Sequence, residues 1–445
     1  MLLLACGVTT GESGGGSGGG LHDPVSFVDP VNGRDTNNGY TQGSAFRTLG
    51  RAAKALQPGW TVKLMNGTHT TDGGQEPLVI DVSGTADAFV TVTAAEGHHP
   101  VIQVPPGPNG WSGIHLLGAS YVVVDGIEIV GRAASITYDE AATKNDGTQS
   151  LYNHNGIYVD GVGYPGTRPK VPHDIVIRNT IVHDCTAAGI QVTAADAVTI
   201  ERNQVYRNSW WTRFGTSGIG FFHLTDAPGA TTKNGYRNFI VRNISWGNRN
   251  ELPFGRPGVP SAIYDGNGII IDDSKHTQPA LGANDIQGAP YSGRTYVANN
   301  IVHDNGGRGI HVYSSVHVDV VNNTTWNDLL STSDFLKWGE VDGFSSSDVQ
   351  FVNNIAVNRV GKDVALNDGN RYDFNLWDGA SAPYKGPNDL WAPAKLADPG
   401  TGDFAPAAGS PALKSGTSAL APADDFFGNP RLAGAIDRGA VQVSR

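Results

Sequence analysis

Two adjacent carboxylates stand out as the groups in this chain best equipped to do chemistry. In Asn267-Gly268-Ile269-Ile270-Ile271-Asp272-Asp273-Ser274-Lys275-His276 they follow directly on an apolar run, and a lysine and a histidine come next. Asp272 and Asp273 with one further oxygen ligand would suit Ca2+, a hard cation that takes about six to eight oxygens. A plainer role for Asp273 is to cap the turn with its side chain, and for Lys275 to be a solvated turn residue. Further on, Gly306-Gly307-Arg308-Gly309-Ile310-His311-Val312-Tyr313 brings an arginine, a histidine and a tyrosine onto one short run. Glycines on both sides leave Arg308 room to hold a carboxylate in a fork, and His311 can change its charge near neutral pH.

The elements that must position these groups announce themselves by repetition. One phrase reads Arg178-Asn179-Thr180-Ile181, Arg202-Asn203-Gln204-Val205, Arg242-Asn243-Ile244-Ser245, Asn299-Asn300-Ile301-Val302, Asn322-Asn323-Thr324-Thr325 and Asn353-Asn354-Ile355-Ala356. The step from Asn179 to Asn203 is 24 residues and that from Asn300 to Asn323 is 23. A second phrase interleaves with it: Gly113-Ile114, Gly156-Ile157, Gly189-Ile190, Gly218-Ile219, Gly268-Ile269 and Gly309-Ile310, each followed by alternating apolar residues. Short period-2 strands punctuated by Gly and Asn at a repeat of this length predict a parallel β-solenoid. Its coils stack about 4.8 Å apart and share one core. Asn suits the tight turn because it tolerates left-handed backbone angles, and stacked Asn side chains can bond to one another.

Aligning the Gly-Ile phrases predicts which side chains stack outward. The residue four beyond each Gly gives Asp160, Thr193, Phe222, Asp272 and Tyr313; the residue two beyond gives Tyr158, Gln191, Gly220, Ile270 and His311. The residue before Gly gives Asn155, Ala188, Ser217, Asn267 and Arg308. Asp272, Asp273, Lys275, His276, Arg308, His311 and Tyr313 therefore fall within one or two rungs. Asp160 lies three rungs from Asp272, roughly 14 Å away. Insertions at 132–155, 209–217, 224–236, 249–266 and 274–293 are expected to wall a groove over this face. Trp210 and Trp211, in one of them, would offer platforms to a sugar or simply pack.

From about Val25 onward the chain resembles the right-handed parallel β-helix proteins of the pectate-lyase type. The opening segment Phe27-Val28-Asp29-Pro30-Val31-Asn32-Gly33-Arg34-Asp35 and the closing stretches Gly409-Ser410-Pro411-Ala412-Leu413 and 425–441 add to the likeness. The resemblance implies an all-β, right-handed parallel β-helix over 25–395 with a closing segment over 396–445. It also implies a polysaccharide substrate, with a lyase acting on uronate chains as the leading expectation. Ca2+ on Asp272 and Asp273 would neutralise the uronate carboxylate, Lys275 or Arg308 would take the C5 proton, and Tyr313 or His311 would donate to the leaving oxygen. Asn267, Trp210, Trp211, His223, Tyr158 and Gln191 would bind the sugar. The alternatives are a glycoside hydrolase using Asp272 and Asp273 as its carboxyl pair, a C5-epimerase, or a non-catalytic glycan binder. The paired-Asp, Gly-His-Gly and Arg-x-Lys pattern of polygalacturonases is absent.

Composition narrows the field further. A net charge of −11 with no basic patch argues against nucleic acid. Only 16% charged residues, alongside 59 glycines, exclude a coiled coil. Leu3-Leu4-Ala5-Cys6 resembles the lipobox of bacterial lipoproteins, with Cys6 as the lipidated residue, and 14–20 is a Gly/Ser tether. A monomer held by its lipid at a bacterial cell surface, or secreted, is the expected setting. Cys185 reads as a buried thiol.

Overall fold

The computed structural model describes residues 24–162, 170–255, 259–278, 288–331, 339–360, 365–366, 369–381 and 386–443. Residues 1–23, with the Cys6 lipidation site, lie outside them. Among the described residues the chain winds through three parallel sheets of eleven, nine and eleven strands. One coil visits each sheet in turn: Asn155–Asp160 in sheet two, His173–Arg178 in sheet one, Ile181–His183 in sheet three, then Ile190–Thr193 back in sheet two. This is the expected all-β parallel β-helix.

The core is a set of in-register ladders. In sheet two, Ile114, Ile157, Ile190, Ile219, Ile269 and Ile310 pair coil to coil and are fully buried. In sheet one the ladder runs Val124, Ile177, Ile200, Ile240, Val297, Val320 and Phe351. β-Branched residues dominate because they fill a pleated, fully covered face with few rotamers to lose.

The Asn phrase forms the corner between sheets one and three, with a division of labour that the sequence did not reveal. The left-handed residue is the first of each pair: Asn179, Arg202, Arg242, Asn299, Asn322, Asn353 and Phe374 all have φ between 53° and 60°. The second residue is buried and builds a ladder. Asn203, Asn243, Asn300, Asn323, Asn354 and Asn375 each donate Nδ2 to the Oδ1 of the next coil at 2.9–3.1 Å, ending on Asp389. Each Oδ1 also accepts a backbone N–H, so these polar groups are satisfied inside the wall. Replacing Asn300 by Ala leaves its neighbours without their bonds; we expect a loss of about 2 kcal/mol, read as a lower urea midpoint.

A second ladder runs along the corner between sheets three and two. Asn208, Asn248 and Asn305 donate in turn, and the last acceptor is Asp328 at 2.8 Å. Asp328 and Glu340 are both fully buried, and the Asp328 N–H donates to Glu340 Oε1. Burial, reinforced by the neighbouring carboxyl, holds Asp328 well above the usual carboxylate range, and burial lifts Glu340 to about 7. The folded pair thus keeps protons that the unfolded carboxyls release near pH 4. Stability should fall as pH rises from about 4 through about 7. Asp328→Asn should flatten that slope and stabilise the protein at pH 8 by about 1 kcal/mol, measured by denaturant titration at several pH values.

The first coils are capped and the later ones are strapped along one edge. The helix Leu49–Ala53, capped by Thr48, buries Leu49 and Ala52 against the first coils. The closing segment turns back along the outside of the Asn corner. It meets Arg242 through Asp424, Asn299 through Arg431, Asn322 through the carbonyls of Asp437 and Gly439, Asn353 through Thr417, and the Asn375 carbonyl through Arg438.

Candidate active site

The outward side of sheet two presents two rows of side chains, in the register expected from the Gly-Ile phrases. One row runs His115, Tyr158, Gln191, Gly220, Ile270, His311 and Asp342; the other runs Leu117, Asp160, Thr193, Phe222, Asp272 and Tyr313. Connections flank this sheet on both sides. On the side entered from sheet three, the helix Tyr138–Lys144 and the inserted segments around it pack into one cluster. Its members include Ala133, Ile136, Tyr152, Trp211 and Leu252, with Trp210 at its edge. That cluster is a wall beside the sheet. Trp211 donates Nε1 to the Ala133 carbonyl and is buried in the wall, while Trp210 donates to that of Gly247 and stays partly exposed at its edge.

Two carboxyls come together where this wall meets the sheet. Asp265 precedes the strand Ile269–Asp272 and rests beside Gly215, where a Cβ would stand 2.7 Å from Asp265 Oδ2. Asn267 Nδ2 donates to Asp265 Oδ1 at 3.0 Å, and Asn267 Oδ1 accepts the Arg308 N–H at 2.8 Å. Asn267 is therefore a buried strut that fixes Asp265 and Arg308. Burial raises Asp265 to about 6, with the Arg308 charge and the Asn267 bond pulling the other way. Asp272, at the strand end, is partly exposed and accepts from Gln278 Nε2 at 2.6 Å. Its pKa lies well above the usual range through loss of water, then through the negative charges of Asp265 and Asp273. Phe222 and Tyr313 flank Asp272 on the neighbouring rungs, both partly exposed.

Beside the carboxyls lies a buried ion pair. Arg308 Nε donates to Asp342 Oδ2 at 2.9 Å and Nη1 to the Tyr264 carbonyl at 3.2 Å, with the two charged side chains 2% and 0% exposed. His311 sits in the same row as Asp342, its Nε2 3.9 Å from Asp342 Oδ2. Burial and the Arg308 charge keep its imidazole neutral.

Several sequence expectations need correction. Asp273 leaves the face: its φ of 49° breaks the strand alternation, and it caps the turn. Its Oδ1 accepts from Thr277 N and Oγ1, and its Oδ2 from Gln278 N and His223 Nε2. His223 is fully buried in that pair and does not reach the groove. With Asp273 spent, the expected calcium ligands do not assemble. No group of three or more acidic, His or Cys side chains among the described residues could hold a metal. Lys275 is drawn to the Ser345 carbonyl at 2.5 Å, and Arg308 is fixed by Asp342, so neither is a base as it stands.

The N-terminal part of the same face carries a cluster that the sequence reading missed. His115 Nδ1 lies 2.9 Å from Glu76 and Nε2 3.1 Å from Asp160, and the ring stacks on Tyr158 at 5.2 Å. Burial opposes the charge on His115, but the two carboxylates win and raise it to about 9. Tyr158 thus belongs to this cluster, while Gln191 lies between the two groups, over the space left by Gly220. His115 occupies the register position of His311 and could have been found by the same alignment. Asp265 and Asp342 had no such signal.

Residues 107–327 match the family described as right handed beta helix region. With the three parallel sheets, this gives the chain a right-handed parallel β-helix fold. Among solved structures it is similar to pectate lyase Pel9A, at 17% identity and a TM-score of 0.58, over 94% of this chain and 96% of that one. It is also similar to the GH136 lacto-N-biosidase from Eubacterium ramulus, at 14% identity and a TM-score of 0.49, over 83% and 67%. A rhamnogalacturonan lyase aligns at 14% identity and a TM-score of 0.45, over 84% and 90%. No curated protein sequence matches the chain. At 17% identity the likeness to Pel9A bears on the fold alone.

Proposed function

We propose that the chain is a polysaccharide-cleaving enzyme, and that it works by acid–base catalysis from Asp265 and Asp272. The observation that carries this reading is a pair of carboxyls beside the wall of sheet two that feel each other's charge, both raised by burial: Asp265 to about 6 and Asp272 well above the usual carboxylate value. Two coupled carboxyls of this kind can divide the work, one ionised as base and the other keeping its proton as acid. Asp272 keeps its proton and delivers it to the glycosidic oxygen, while ionised Asp265 activates water, as glycoside hydrolysis requires. Tyr313, on the rung next to Asp272, is partly exposed and its hydroxyl stays protonated, so it can donate to the sugar. Cys6 would tether the enzyme by lipid at the surface of a bacterial cell, where long glycans are met.

β-Elimination on a uronate is the second reading, favoured by His311 and Tyr313 standing on one strand with their rings 5.5 Å apart. A panel of neutral and acidic polysaccharides, with Ca2+ and with chelator, tests both. New reducing ends without ultraviolet absorbance support hydrolysis. Absorbance of an unsaturated uronate supports the lyase. Neither signal, with correctly folded protein, overturns the cleavage reading.

A further inference from the structure

The phrase Ile-Val-His-Asp forms a strand of sheet three twice, at 181–184 and 301–304, and the two copies end differently. In the first, His183 Nδ1 meets Asp184 at 2.7 Å and Nε2 meets Glu128 at 3.2 Å, so both nitrogens are taken. In the second, His303 Nδ1 meets Asp304 at 2.8 Å. Its side chain is 16% exposed, and Nε2 is neither bonded nor enclosed among the described residues. His303 lines a cleft of about 510 Å³, within the range of ligand sites. One side of the cleft is sheet three, where Ile244, Trp246 and Trp326 are partly exposed. The other is an antiparallel hairpin of the closing segment, Leu396–Asp398 with Asp403–Pro406, whose turn 399–402 is largely exposed. Phe404, on that hairpin, sets its ring 4.8 Å from that of His303. A smaller cavity of about 300 Å³ shares Ile244 with the cleft and has exposed Gln204 in its lining.

We propose that this cleft is a second carbohydrate site, which holds a glycan chain on a different sheet from Asp265 and Asp272. The proposal takes its polymer class from the cleavage reading, but the cleft holds the chain whether or not sheet two cuts it. The lining suits hydroxyl groups set on an apolar ring. A hydroxyl both donates and accepts, so it matches His303 Nε2 in either protonation state. Trp246 and Trp326 offer apolar surface to the C–H groups of a sugar. Charge points away from an anionic ligand. Apart from His303, Asp304 is the one ionisable residue in the lining among the described residues, and it is engaged by His303 and Asn327. Two cavities that meet at Ile244 suit several linked units better than one.

The test uses the full chain in an Asp272→Asn background, so that polymers stay whole. Affinity electrophoresis with arabinan, galactan, xylan, polygalacturonate and alginate reads the binding, and we expect one or more of them to retard the protein. His303→Phe keeps a ring beside Trp246 and Phe404 but removes Nε2, and should weaken binding by about tenfold. His183→Phe, the same change where both nitrogens are already taken, should leave binding as it was. With Asp272 restored, His303→Phe should raise KM for the retarding polymer and leave kcat/KM for its trisaccharide unchanged. Binding indifferent to His303→Phe, equal losses in His303→Phe and His183→Phe, or no binding to any polymer overturns the inference. Cleavage seen beside any of those results leaves the cleavage reading standing. Binding that depends on His303, with no cleavage, removes the cleavage reading alone.

Discussion

Asp272→Asn is expected to lower kcat by about a thousandfold or more, with little change in KM. A positioned general acid contributes roughly 10²–10⁴ in rate, and the amide keeps the shape of the side chain without the proton. The pH profile makes the assignment specific. Asp265 must be ionised, so activity should rise through about 6. Asp272 must stay protonated, so activity should fall as pH passes its own raised value. Asp265→Asn should erase the acidic limb, and Asp272→Asn the basic one. A pH–rate profile of kcat/KM for the three proteins is the measurement. Identical limbs in all three would remove Asp265 and Asp272 from the chemistry.

Arg308→Ala should cost about 3–5 kcal/mol of stability, the usual result of stranding one member of a buried ion pair. The substitution leaves the Asp342 carboxylate fully buried without the guanidinium that sits 2.9 Å away. The double variant Arg308→Met with Asp342→Leu should recover most of the loss, because apolar side chains avoid the desolvation of both charges. Equilibrium denaturation of the single and double variants decides this, and equal losses would show that packing dominates. The site would feel the change as well. The Arg308 charge holds Asp265 down, so any residual activity in Arg308→Ala should rise at a higher pH than in the parent.

Sheet two was legible in the sequence because its repeating phrase has a steric cause. A Cβ on Gly156 would lie 2.2 Å from Val182 Cγ1, and one on Gly268 2.1 Å from Val302 Cγ1. The chain can enter sheet two at these coils only with glycine, and the isoleucine that follows then points inward. That regularity placed Asp272, His311 and Tyr313 on one face in the right order. It could not place Asp273, where a left-handed residue reverses the alternation at the strand end. Nor could it find Asp265, Asp342 or Glu76, which reach the face from a wall or from coils lacking the Gly-Ile phrase. The Asn corner was legible as a turn. Its two jobs were not, because the pair Asn-Asn at 299–300, 322–323 and 353–354 writes both with the same letter, and only Thr180, Arg202, Arg242 and Phe374 betray the difference.

The closing segment changes how such a molecule comes apart. A stack of coils linked only to nearest neighbours unzips from its ends, one repeat at a time. Here one stretch of chain is lashed across the corner from Arg242 to Asn375, with contacts at Asn299, Asn322 and Asn353 between. Fraying of the last coil does not release the one before it, since each is tied separately to the same cord. The coils that carry Asp265, Asp272, Arg308 and His311 lie inside the span of that cord and should open together.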